Sequence, residues 1–197
     1  MRFSFHCWPG LRWLLLAGLP ACAPSLHVRP VTEAQLPAGL YRRGQLATAV
    51  RWADRQGQHL FAVSTQGRGR PTHDDNDGLR GSILLQRYQL PADTLGDGWQ
   101  YTLQPRLCRP DQEIPLLRGS LKVTDLNRDG IGEVWVVYYD QCRPNGPGSS
   151  RRLLMFQGQQ TYRAYPASGG FQYGLDSAFL AGPQRFRTFA RHLLRGK

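Results

Sequence analysis

The residues of this chain best suited to chemistry fall in one short stretch, Asp125-Leu-Asn127-Arg-Asp129-Gly130-Ile131-Gly-Glu133. Oxygen-bearing side chains occupy alternate positions, a glycine follows, and Glu133 closes the run. A hard cation such as Ca²⁺ takes about six to eight oxygen ligands. Asp125, Asn127, Asp129 and Glu133, with the backbone carbonyl of Ile131, supply most of such a shell. Gly130 permits the positive φ that folds the chain back toward the ion. The same residue types also build ion-free hairpin turns, because Asp and Asn hydrogen-bond their own backbone. The spacing is therefore compatible with a calcium turn and with a plain turn. It is not an EF-hand: Val136 stands where that loop places its bidentate Glu, and a strand-like run, Val134-Trp-Val-Val-Tyr-Tyr139, follows in place of a helix.

Other catalytic chemistry is poorly represented. Beyond the leader the histidines are His27, His59, His73 and His192, and the chain contains no Gly-x-Ser-x-Gly elbow, His-Glu-x-x-His pair or Gly-Lys-Ser/Thr phosphate loop. A glycosidase needs two carboxylates facing one cleft. Asp74, Asp75, Asp77, Asp111, Glu113 and Asp140 sit in loops or at strand ends, and nothing in their spacing pairs them. They read as solvated loop charges.

Residues 1–21 read as a secretory leader. Arg2 and Arg12 flank a short charged region, and Trp13–Leu19 is apolar but too short to span a bilayer. Leu19-Pro-Ala-Cys22 looks like a lipobox, which makes Cys22 the lipidated first residue and the lipid bilayer a partner through that anchor. Cleavage after Ala23 at Ala21-Cys22-Ala23 is the alternative. An exported, envelope-anchored chain meets an oxidising compartment, so Cys108 and Cys142 are a candidate disulfide, with two free buried thiols as the alternative. Closing that loop stabilises by roughly 4 kcal/mol in the chain-entropy view.

The formal charge of +11 does not point to nucleic acid. Lys122 and Lys197 are the only lysines, and the arginines are spread along the chain with no basic run interleaved with aromatics. The charge fits instead a salt-sensitive attraction to anionic lipid or acidic polysaccharide.

Positioning the acidic turn falls to a series of short strands. Residues 22–40, rich in Pro, Ala and Leu, read as a tether to a single domain over 41–197. Strands are expected at 45–54, with Leu46, Thr48, Val50 and Trp52 on one face, and at 59–65, 82–90, 99–105, 119–124, 131–139, 153–156 and 161–165. Turn residues at their junctions favour antiparallel hairpins. Beyond Pro183, the spacing of Phe186, Phe189, Ala190, Leu193 and Leu194 predicts one amphipathic helix. Such a helix can lie on a membrane surface, but beside so many strands it is expected to cover a sheet. The fold class is mainly β, antiparallel, with a single C-terminal helix.

Residues 125–133 resemble one calcium loop of the integrin-type FG-GAP repeats, with Glu133 in place of the last Asp. The resemblance implies Ca²⁺ on Asp125, Asn127, Asp129, the Ile131 carbonyl and Glu133. His73-Asp-Asp-Asn-Asp-Gly78 is at best a broken second copy, so a propeller of repeated blades is excluded. The wider pattern, Val123 to Trp135, then Tyr138, Cys142, Leu153–Phe156, Thr161–Tyr165, Asp176–Phe179, Pro183 and Phe186, resembles a family of exported Bacteroidota proteins named surface polysaccharide biosynthesis protein. That resemblance implies envelope association and a surface glycan or envelope protein as partner. Trp99, Tyr101 and Tyr138 are aromatics that could stack on sugars or pack in the core. A polysaccharide-modifying hydrolase or transferase is the alternative to a noncatalytic role.

Overall fold

β-Branched and aromatic runs separated by Gly, Asn and Asp turns favour hairpins over crossovers, and the chain pairs accordingly. The computed structural model describes residues 26–37, 44–66, 82–90, 99–103, 116–139, 151–166 and 173–195. Five strands, β1 (Arg29–Pro30), β2 (Gln45–Asp54), β3 (Gly57–Gln66), β4 (Ser82–Leu90) and β5 (Trp99–Leu103), lie side by side in sequence order. Five more, β6 (Leu116–Thr124), β7 (Glu133–Tyr139), β8 (Arg151–Gln157), β9 (Gln160–Pro166) and β10 (Tyr173–Leu175), make a second antiparallel meander. The mainly β, antiparallel fold class is the one the sequence predicts.

The two meanders face each other as a sandwich. Trp52, Phe61, Val63, Ile83 and Leu85 from the first sheet meet Val134, Val136, Leu154 and Phe156 from the second in one buried cluster. The Phe61 and Phe156 rings meet there with centroids 6.0 Å apart. Strand β7 is buried on both faces, which is why Val134–Tyr138 reads as an unbroken apolar run. Its other face, with Trp135 and Val137, packs under the C-terminal helices.

Those helices are a pair, where the spacing predicts one. Helix α1 (Ser177–Ala181) is capped by Asp176, whose Oδ1 accepts from Phe179 N at 3.0 Å. Gly182-Pro183 then breaks the run before α2 (Gln184–Arg195). The Arg187 side chain closes the end of α1 by donating to the carbonyls of Phe179, Leu180 and Gly182. Phe186, Ala190 and Leu194 are buried, so the apolar face of α2 is a layer of the core. Among the described residues no helix is long and apolar enough to cross a membrane.

Strand β2 departs from the single-face pattern. The register shifts between Leu46 and Thr48, leaving Ala47 as an extra residue. Because side chains alternate with period two, the bulge moves Leu46 to the outer face while Val50 and Trp52 stay inside. Leu46 there joins Leu36, Ala49, Leu60 and Ala62. Within the 22–40 stretch, β1 extends the sheet beside β2, Leu26 packs against the inter-sheet core, and Val31 and Leu36 dock on this outer face.

Candidate metal centre

The acidic turn joins β6 to β7 and folds by bonding its own backbone. Asp125 Oδ2 accepts from Gly130 N at 3.1 Å, Asn127 Oδ1 from Asp129 N at 3.2 Å, and Asp129 Oδ1 from Ile131 N at 2.8 Å. Arg128 (φ 61°) and Gly130 (φ 77°) take the left-handed conformations that close the turn. Each of these three side-chain oxygens spends one lone pair on a backbone N–H and keeps another. Among the described residues, Asp125 Oδ1 is the one buried side-chain polar atom without a hydrogen-bond partner. A buried oxygen left unpaired is costly, and a cation is a partner that would satisfy it.

Glu133 sits differently. It is fully buried, and its carboxylate lies under the turn, accepting from Thr124 Oγ1 at 2.7 Å, from Leu126 N at 2.9 Å and from Asn127 N at 3.4 Å. Burial pushes its pKa up to about 7 against the pull of these donors, and the Asp125 charge adds to the push. Asp129 Oδ2 is shared by Asn127 Nδ2 at 2.7 Å and Gln157 Nε2 at 2.9 Å, which ties the turn to the β8–β9 hairpin. Among the described residues no three His, Cys, Asp or Glu side chains form a group placed to hold a metal. A site here thus rests on two carboxylates, an amide oxygen and a backbone carbonyl, a donor set suited to a hard cation. Of the candidate ligands Asp125 alone keeps a buried oxygen without a hydrogen-bond partner, whereas oxygens of Asn127, Asp129 and Glu133 already accept hydrogen bonds.

The turn is also held from the opposite sheet, by residues whose roles the sequence did not disclose. Arg55, in the β2–β3 hairpin, donates its backbone N–H to Gly130 O at 2.8 Å and its guanidinium to Asp129 O at 2.9 Å. Beside it, the Asp54 carboxylate accepts from Gly132 N at 3.0 Å, Trp52 Nε1 at 3.0 Å, Gln56 N at 2.8 Å and His59 Nε2 at 2.8 Å. The Asp54 and His59 side chains are 0% and 1% exposed. Burial works against the Asp54 charge, but these hydrogen bonds outweigh it and hold the pKa below the ordinary value. Burial lowers the pKa of His59, an effect that Asp54 opposes and the Arg87 charge reinforces. His59 is therefore neutral near pH 7, with Nε2–H donating to Asp54 and Nδ1 facing Arg87 Nη2 at 3.4 Å. Arg87 in turn donates to Gly158 O at 2.9 Å, in the second sheet, and covers the Trp52 ring at 5.9 Å. The Asp54–His59 pair thus has the form of a catalytic dyad, yet it is sealed inside a clamp between sheets.

Gly132 is a close approach. A Cβ there would lie 2.6 Å from Trp52 Nε1, so only glycine lets the turn reach the Asp54 carboxylate.

The remaining sequence candidates are dispersed. Tyr138 is buried in the core, and Tyr101 packs edge-on to Phe156 beneath the Arg163 guanidinium. Cys22, Cys108 and Cys142, the His73–Gly78 stretch and the Trp99 side chain lie outside the described residues. Comparison with protein-family models, with curated proteins and with solved structures finds no match.

Proposed function

We propose that this chain is a noncatalytic lipoprotein of the cell envelope, anchored through Cys22, that binds or helps to assemble surface polysaccharide and carries a structural Ca²⁺ turn. The observation that carries this reading is how the buried ionisable groups are used. Asp54, His59, Arg87 and Glu133 are all hydrogen-bonded within the sandwich, and none is among the described residues that line the cleft under the N-terminal segment or the cleft between the acidic turn and α2. Groups tuned by burial are spent here on joining the sheets and on holding the acidic turn, where an enzyme would present them to substrate. The calcium in this reading is held by Asp125, Asn127, Asp129 and the Ile131 carbonyl. Glu133 lies beneath as the acceptor that fixes the Leu126 and Asn127 amides, while Cys108 and Cys142 form the second staple. Bound calcium supplies charge that pins the turn, and with it the β2–β3 hairpin, with no part in a reaction.

Two experiments test the proposal. Isolated surface glycans should bind the protein without change in chain length or composition; a product that vanishes on substitution of a single Asp or Glu would establish the hydrolase or transferase alternative. Labelled palmitate should enter the expressed chain and be lost in Cys22→Ala; label retained in that variant would refute the anchor.

A further inference from the structure

A second feature lies on the outer face of the first sheet, under the N-terminal segment. A cleft of about 600 Å³ opens there, within the range of about 300–1,000 Å³ typical of small-molecule sites. Its floor is aliphatic, with Val31, Leu60 and Leu90, and its cationic groups are Arg29 and Arg51. No carboxylate is among the described residues that line it.

Arg29 and Arg51 are direct cross-strand partners in β1 and β2. Like charges placed opposite each other in an antiparallel pair are unfavourable, and pairing with an acid is the ordinary remedy. Here Arg51 donates to the neutral Gln58 amide oxygen, and the Arg29 guanidinium bonds to none of the described residues. The register continues the row from Arg51 to Leu60, so the paired charges border directly on the apolar floor. Two guanidinium forks side by side match the oxygens of one phosphate, and the adjoining aliphatic surface matches a hydrocarbon chain.

We propose that this cleft binds an anionic amphiphile, with a phosphate head group between Arg29 and Arg51 and an aliphatic tail along Val31, Leu60 and Leu90. The ligand neutralises a like-charge pair that no carboxylate among the described residues lining the cleft compensates.

Calorimetric titration of the intact protein with octyl phosphate, below its micelle concentration and in EDTA, tests the proposal separately from the calcium turn. Octyl phosphate is expected to bind at least tenfold more tightly than octyl glucoside, which keeps the tail, and than inorganic phosphate, which keeps the head. Arg29→Ala and Arg51→Ala are each expected to weaken octyl phosphate about tenfold, while Arg163→Ala, an exposed arginine on the other sheet, leaves it unchanged. Equal binding of octyl glucoside, an unaffected Arg29→Ala/Arg51→Ala protein, or an equal loss in Arg163→Ala would overturn it. Circular dichroism of each variant confirms that the readout is binding and not unfolding.

Discussion

At Asp54 four donors from both sheets converge on one carboxylate, and two of them, the Trp52 indole and the His59 imidazole, are themselves buried. Removing the acceptor strands those donors without water. Asp54→Ala is therefore expected to cost about 3 kcal/mol, read as a lower urea midpoint with an unchanged slope. The same cluster sets a pH dependence. His59 has a folded pKa below its unfolded value of 6.5, so the unfolded chain takes up the proton first. Its contribution is fully present above pH 6.5 and is lost as pH falls below it; Asp54, also lowered, loses its own contribution as pH falls below 3.8. His59→Gln should flatten the decline in melting temperature between pH 6.5 and 5 relative to wild type, and an unchanged decline would place the titrating group elsewhere. None of this was legible from the sequence, where Asp54 is an ordinary hairpin-turn residue. Its partner Gly132 is 78 positions away, and no local pattern encodes a contact of that range.

Among the elements, the strands were legible because their signals are local: alternating apolar residues, then Gly or Asp at each turn. What escaped was whatever depends on one extra residue or on a distant partner. The bulge at Ala47 in β2 reverses the face of Leu46, although its composition resembles the rest of the strand. Helix α1 is only five residues long, too short for periodicity to reveal, and is fixed by the Asp176 cap and the Arg187 side chain. The acidic turn was legible as a turn with ligand-type residues. That Glu133 faces inward beneath it, and that the β2–β3 hairpin grips it, follow from the sandwich. Gly132→Ala tests this grip, since its Cβ would collide with the Trp52 indole. A loss of about 1–3 kcal/mol is expected in chemical denaturation. A neutral substitution would mean that the turn does not seat against β2.

Over the whole molecule, the described residues stack as an N-terminal segment, two sheets and a helical layer, with three apolar clusters between them. The two sheets contribute to one shared core, so they should unfold together. The acidic turn lies where polar contacts bridge these sheets, through Arg55 and Asp54. A cation bound there stabilises the joint as well as the loop. By mass action, a ligand held only by the folded state adds about 2.7 kcal/mol at a hundredfold excess over Kd. In a chain of this size that raises the melting temperature by roughly 5–10 °C. Titration of CaCl₂ into chelator-stripped protein, read by calorimetry and by melting, tests this account most directly. It predicts saturable binding at one site and a Ca²⁺-dependent rise in melting temperature, both abolished by Asp125→Ala. The absence of heat and of any such rise in the wild-type protein would contradict it.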